Sequence, residues 1–89
     1  MTMDKRLGVV GIVVEHLSAA EEVNVVLHEF SEMIVGRMGI PYKERGVSII
    51  SIIVDGSSDG ISALTGRLGR IRFVSVKTAL AKSGGDNNV

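Results

Sequence analysis

Between Gly46 and Gly56 the chain sets six β-branched aliphatic residues in the eight positions Val47–Val54, interrupted only by Ser48 and Ser51. Neither set of alternate positions is polar throughout, so the stretch predicts a strand apolar on both faces, the pattern of a strand in mid-sheet. A second run of this kind, Leu7-Gly8-Val9-Val10-Gly11-Ile12-Val13-Val14, lies within Lys5–Glu15 and predicts the first strand. Ser18-Ala19-Ala20-Glu21 follows with capping-box spacing, in which the serine oxygen accepts from a free amide and the glutamate returns the bond. From there Ala20, Val23, Leu27, Phe30 and Ile34 recur at helical intervals, while Glu21, Glu22, His28, Glu29 and Glu32 fall on the other side, together with Val25. The period changes near Met33, so Met33–Ile40 predicts a weaker strand, and Pro41–Gly46 a polar loop short enough for a hairpin.

Beyond the long apolar strand, Asp55–Gly60 offers several N-cap oxygens, and Ile61, Leu64 and Leu68 supply the stripe of a second helix. Gly66 weakens that helix by about 1 kcal/mol relative to Ala, and Gly69 is expected to close it in the left-handed conformation. Ile71–Thr78 alternates polar and apolar residues and predicts a half-exposed fourth strand. Residues 83–89 carry no periodicity and are expected to be a disordered tail, leaving 1–82 as one domain.

The order strand, helix, strand, strand, helix, strand, with the first and third strands central, permits few topologies. Right-handed crossovers place the fourth strand beside the first and the second beside the third. The predicted fold is therefore α+β, a ferredoxin-like βαββαβ sandwich. Its four-stranded antiparallel sheet has order 4-1-3-2, and both helices lie on one face. That leaves the other face bare, although the central strands are apolar there too, and a second subunit is the expected cover.

Composition narrows the chemistry. In 89 residues Phe30, Phe73 and Tyr42 are the only Phe or Tyr side chains and Trp is absent, so the core must be aliphatic. A chain this short buries roughly 60–65% of its unfolded surface and holds a small stability margin. Formal net charge is zero, which removes the main driving term for nonspecific nucleic-acid binding. Without cysteine there are no disulfides, thiolate nucleophiles or zinc–thiolate sites, and a reducing cytoplasm is the expected location. No apolar run approaches the roughly 20 residues of a membrane span. Asp4 and Glu15 bracket the first apolar run, which is unlike a signal peptide.

No Ser/His/Asp set, buried carboxylate pair or phosphate-binding glycine signature is present, and no catalytic residue is assigned. Arg37, Tyr42 and Arg45, with Lys43 and Glu44, cluster at the predicted hairpin, where a guanidinium would grip a carboxylate or phosphate; they are the candidate ligand or partner contacts. The alternative is a solvated turn. His28 and Glu32 stand four apart, a spacing able to place two ligands on one metal, but two groups do not make a site. No metal and no cofactor is expected. Gly8 with Gly11, and Ala63, Gly66 and Gly69, mark either close strand–helix packing or the approach of a ligand or second chain, packing being the preferred reading.

Arg37-Met38-Gly39-Ile40-Pro41-Tyr42, Gly46–Gly56 and Ala63-Leu64-Thr65-Gly66-Arg67-Leu68-Gly69, preceded by Arg6–Val14, carry a resemblance to the small regulators assigned to the iron-only hydrogenase system. The match spans about residues 5–80. It implies a ferredoxin-like domain similar to ACT domains and to the C-terminal domain of the nickel-responsive repressor, domains that oligomerise and sense small ligands. The repressor's histidine and cysteine set is missing here, so no nickel site is carried over. Glu15-His16-Leu17-Ser18 also lacks the glycine turn by which amino-acid-binding ACT domains meet their ligand.

The preferred expectation is a non-enzymatic regulatory module, a homo-oligomer (a dimer or a multiple of it) that binds a small ligand or a protein partner. A nucleic-acid-binding protein using its bare sheet would need exposed strand aromatics, and only Phe73 falls in a predicted strand. A small ferredoxin-like enzyme would need a nucleophile or base that the chain does not show.

Overall fold

In the computed structural model, which describes residues 5–82, two long strands form the middle of the molecule. Strand β1 (Lys5–Val14) and strand β3 (Val47–Ser57) pair antiparallel along their length, from Lys5 opposite Ser57 to Val14 opposite Ser48. Strand β4 (Val74–Leu80) adds to β1 and strand β2 (Ile34–Tyr42) to β3, giving the antiparallel order β2-β3-β1-β4. This is the predicted ferredoxin-like sandwich, 4-1-3-2 in chain numbering. Helices α1 (Ala20–Glu29) and α2 (Ser58–Gly69) lie together on one face.

Residues directly opposite in an antiparallel pair share a face. Val10, Ile12, Val14, Ile50, Ile52 and Val54 all turn toward the helices and are buried there with Val23, Val26 and Leu27 of α1 and Ile61, Leu64 and Leu68 of α2. Val26 is absent from the predicted helical stripe; the stripe is rotated toward Val26 and Leu27, and Val25 is exposed as expected. Glu29 of α1 meets Arg67 of α2 at 2.7 Å, an exposed pair worth about 0.2–1 kcal/mol.

The helix ends differ from expectation. Ser18 does not cap α1: its hydroxyl lies 3.0 Å from Nδ1 of His16, and a single 3-10 turn, Leu17–Ala19, leads into the helix without any side-chain cap. Glu21 and Glu22 in the first turn supply the negative charge that helix start favours. At the other end α1 stops at Glu29, five residues before Ile34, because Ser31–Met33 tightens into another 3-10 turn and Ile34 already belongs to β2. Strand β3 runs through Ser57, whose Oγ accepts from the Gly60 amide at 2.9 Å and caps α2.

Gly69 is not left-handed. Arg70 closes α2 in right-handed geometry, and the left-handed residue is Phe73, at φ 72°. The turn before β4 is therefore longer than predicted: Ile71 is buried beneath it, and β4 starts at Val74. At the β2–β3 connection a 3-10 turn, Lys43–Arg45, ends at Gly46, whose φ of 70° suits glycine. The tail at 83–89 lies outside the described residues.

One glycine is tied to strand spacing. A Cβ on Gly8 would stand 2.5 Å from Leu80 Cδ2 and 2.7 Å from the Ala79 carbonyl oxygen across the β1–β4 pair. Gly8→Ala should therefore cost about 1–3 kcal/mol, the range for forcing bulk into a filled site. Chemical denaturation should show a lower midpoint with an unchanged slope; an unchanged midpoint would mean that β4 shifts without cost.

Candidate functional site

The same register that buries one sheet face leaves the other open. On it stand Leu7, Val9 and Val13 of β1, Ile49 and Ile53 of β3, and Met38, Ile40 and Tyr42 of β2. Ile49 and Ile53 are each 47% exposed in the third strand, while their neighbour Ile52 is fully buried. Val9 pairs with Ile53 and Val13 with Ile49, so the apolar surface is continuous across the two central strands. The charges in the strands on this face are Lys5, Asp55 and Lys77, at one end and on the edge strand.

The candidate residues at the hairpin separate. Strand β2 carries a bulge between Ile34 and Gly36, where pairing with β3 shifts by one residue. The extra residue reverses the side-chain parity beyond it. Arg37 consequently lies opposite Ile52, on the helix side, where its Nη2 donates to Oδ1 of Asn24 in α1 at 3.1 Å. Tyr42 lies opposite Val47 on the open face, and Arg45 is exposed in the 3-10 turn beyond the strand. The three do not share one site.

Arg37 instead belongs to a groove of about 440 Å³ between α1 and β2, with Leu27 and Ile34 as its apolar lining and Asn24, His28 and Ser31 along the helix side. The sequence pattern does not single out Asn24, although its place four residues before His28 on one helix puts it on that side. His28 and Glu32 do not form a pair on one helix, because α1 ends between them. His16 stacks on Phe73 with ring centroids 4.8 Å apart, and Arg72 lies 5.0 Å from the Phe73 centroid. Among the described residues no group of three or more His, Asp or Glu side chains stands together as a metal site.

The glycines divide likewise. Gly8 packs closely, but against the neighbouring strand β4 rather than a helix, and Gly11 does not pack closely. Nor do Gly66 and Gly69: the nearest atom to a Cβ on Gly66 is 3.8 Å away, none lies within 4 Å of Gly69, and both border an open groove between α2 and β4. Phe73, expected in a strand, sits in the turn before β4, and Tyr42 is the aromatic residue on the open sheet face.

A family model described as "TM1266-like: Iron-only hydrogenase system regulator, putative" matches residues 6–78. The chain belongs to this TM1266-like family. The structure of the uncharacterized protein TM1266 from Thermotoga maritima is similar at 42% identity and TM-score 0.83, covering 88% of this chain and 99% of that one. The fold is shared more widely. A structure described as a putative PII-like signaling protein from Thermus thermophilus aligns at TM-score 0.57 and 20% identity over 89% of this chain and 92% of that one. A formyltetrahydrofolate deformylase from Pseudomonas putida aligns at TM-score 0.58 and 10% identity, over 81% of this chain but 28% of the enzyme. At such identities the likeness is one of fold alone. No curated protein matches the sequence. Among the described residues of this TM1266-like protein, no helix is long and apolar enough to cross a membrane.

Proposed function

We propose that this TM1266-like protein is a cytoplasmic regulatory module without catalytic activity of its own, working as a homo-oligomer that responds to a small ligand or a partner protein. The observation that carries the reading is the open sheet face, with Val9, Ile49 and Ile53 exposed at its centre. Four strands about 4.8 Å apart and seven to eleven residues long present roughly 500–600 Å². That whole face is comparable to the largest apolar patch usual on a monomer, about 300–600 Å², and a second copy packed sheet to sheet would bury about 1,000–1,200 Å² in all, just enough for a specific interface. The three strand charges on the face are of mixed sign and lie away from its centre, so no block of like charge opposes a second copy. The family description supports the regulatory half of the reading.

Light scattering at low micromolar concentration and physiological salt tests it. The expected mass is twice the 9.5 kDa of the chain or a multiple of that. A 9.5 kDa species would overturn self-association and leave the face to an unlike partner.

A further inference from the structure

We infer that the groove between α1 and β2 is a binding site for a small organic monocarboxylate with a short apolar body, gripped by Arg37. The inference rests on the ligand-sensing part of the proposed function and uses a surface separate from the open sheet face. Arg37 is turned into the groove by the bulge in β2 and steadied by a neutral partner, the Asn24 amide oxygen at 3.1 Å. Among the described residues no carboxylate pairs with it, and Glu29, at the end of α1, is engaged by Arg67. A guanidinium carries five N–H donors, so one bond to an amide leaves both its charge and most of its donors for a ligand. The remaining polar groups of the groove, the Asn24 amide nitrogen, the Ser31 hydroxyl and the His28 imidazole, can all donate, and no acidic side chain lines it.

The choice of anion follows from the surroundings. A carboxylate matches the guanidinium fork with two parallel bonds, and the partly buried Ile34, with the edge of the buried Leu27 beneath it, offers an apolar surface to the rest of the molecule. At about 440 Å³ the groove suits a small molecule. A phosphate dianion is disfavoured: Glu21 and Glu22 lie in the first turn of α1 and Glu32 in the turn after it, and the groove reaches the C-terminal end of α1, where the helix dipole is negative. A monoanion meets half of that repulsion.

The full chain is titrated with isovalerate, acetate, isovaleramide and inorganic phosphate, followed by amide and side-chain NMR shifts. Saturable shifts at Asn24, Leu27 and Arg37 with isovalerate, several-fold weaker binding of acetate, and none by isovaleramide are expected. Arg37→Gln should weaken isovalerate at least tenfold, and Arg37→Lys should retain part of the binding, since it keeps the charge and loses the fork. A melting curve on each variant separates lost binding from lost folding; Asn24→Ala, which frees Arg37 without removing it, is the second variant should Arg37→Gln unfold, and should weaken isovalerate by a smaller factor. The site is overturned if isovalerate gives no saturable shift, if isovaleramide binds equally, if a folded Arg37→Gln binds unchanged, or if phosphate binds more tightly. Light scattering on the same samples keeps the two readings apart: an intact dimer that ignores isovalerate loses only this site, and a monomer that binds it loses only the assembly.

Discussion

Ile52→Asp is expected to leave the chain unfolded at room temperature. Ile52 is fully buried in β3, opposite Val10 of β1 and Arg37 of β2, and faces the side chains of both helices. Removing an isoleucine side chain of this kind costs about 2–5 kcal/mol, and an unpaired carboxylate in the space adds several more, or must take up a proton to remain. At about 0.05–0.15 kcal/mol per residue, a chain of this length holds about 4–13 kcal/mol in total. The two losses together exceed the lower half of that range, and a chain this short holds a small margin. Far-UV circular dichroism without a cooperative melt is the expected result; a soluble variant melting within a few degrees of the parent would show that Ile52 is not the centre of this core.

The neighbouring position makes clear how much of the fold can be read from the sequence. Six β-branched residues in Val47–Val54 announce a central strand with two apolar faces, and the bare second face follows from having only two helices to cover the sheet. Such runs are read reliably because their burial comes from composition over many residues. Helix ends are set by single bonds. Ser18 has the right spacing to cap α1, yet its hydroxyl turns to His16, an option that short polar side chains always have. Gly69 is the natural residue for a positive φ, but the chain turns at Phe73, whose ring stacks on His16 and whose carbonyl accepts from the Glu15 amide at 2.7 Å. Those contacts join residues far apart in sequence.

The groove is the least legible part. Grouping Arg37 with Tyr42 ends the strand at Ile40 and starts the loop at Pro41, which puts Tyr42 in the loop and Arg37 in the strand leading to it. Strand β2 is an edge strand, and an edge tolerates proline because the missing N–H can face solvent; the strand therefore continues through Tyr42. With 37 and 42 an odd number apart in one strand, their side chains must lie on opposite faces. The bulge at Ile34–Gly36 then decides which of the two meets α1. Met33–Ile40 is apolar at most positions whichever way it is paired, so nothing in its pattern marks a one-residue shift.

Ile53→Asp, one residue from the first substitution, should keep the fold and lose the oligomer. Ile53 lies opposite Val9 on the open face and is 47% exposed in the single chain, so a carboxylate there remains in water and costs the monomer about 1 kcal/mol through lower strand propensity. Under sheet-to-sheet packing the same carboxylate would be taken out of water against an apolar surface. A two-fold interface counts the change twice, and since only the exposed half of each isoleucine is left to bury, at about half of 1.5–3 kcal/mol apiece the dimer is weakened by about 1.5–3 kcal/mol, before any cost of burying charge. That corresponds to a rise in dissociation constant of about tenfold to a hundredfold from the lost apolar contact alone, enough with the buried charge to turn a micromolar dimer into monomer in the concentration range of light scattering. The melting transition should remain cooperative, while its midpoint loses its dependence on protein concentration. Should Ile53→Asp stay dimeric, the copies must meet elsewhere, and the unpaired edges of β2 and β4 become the surfaces to vary.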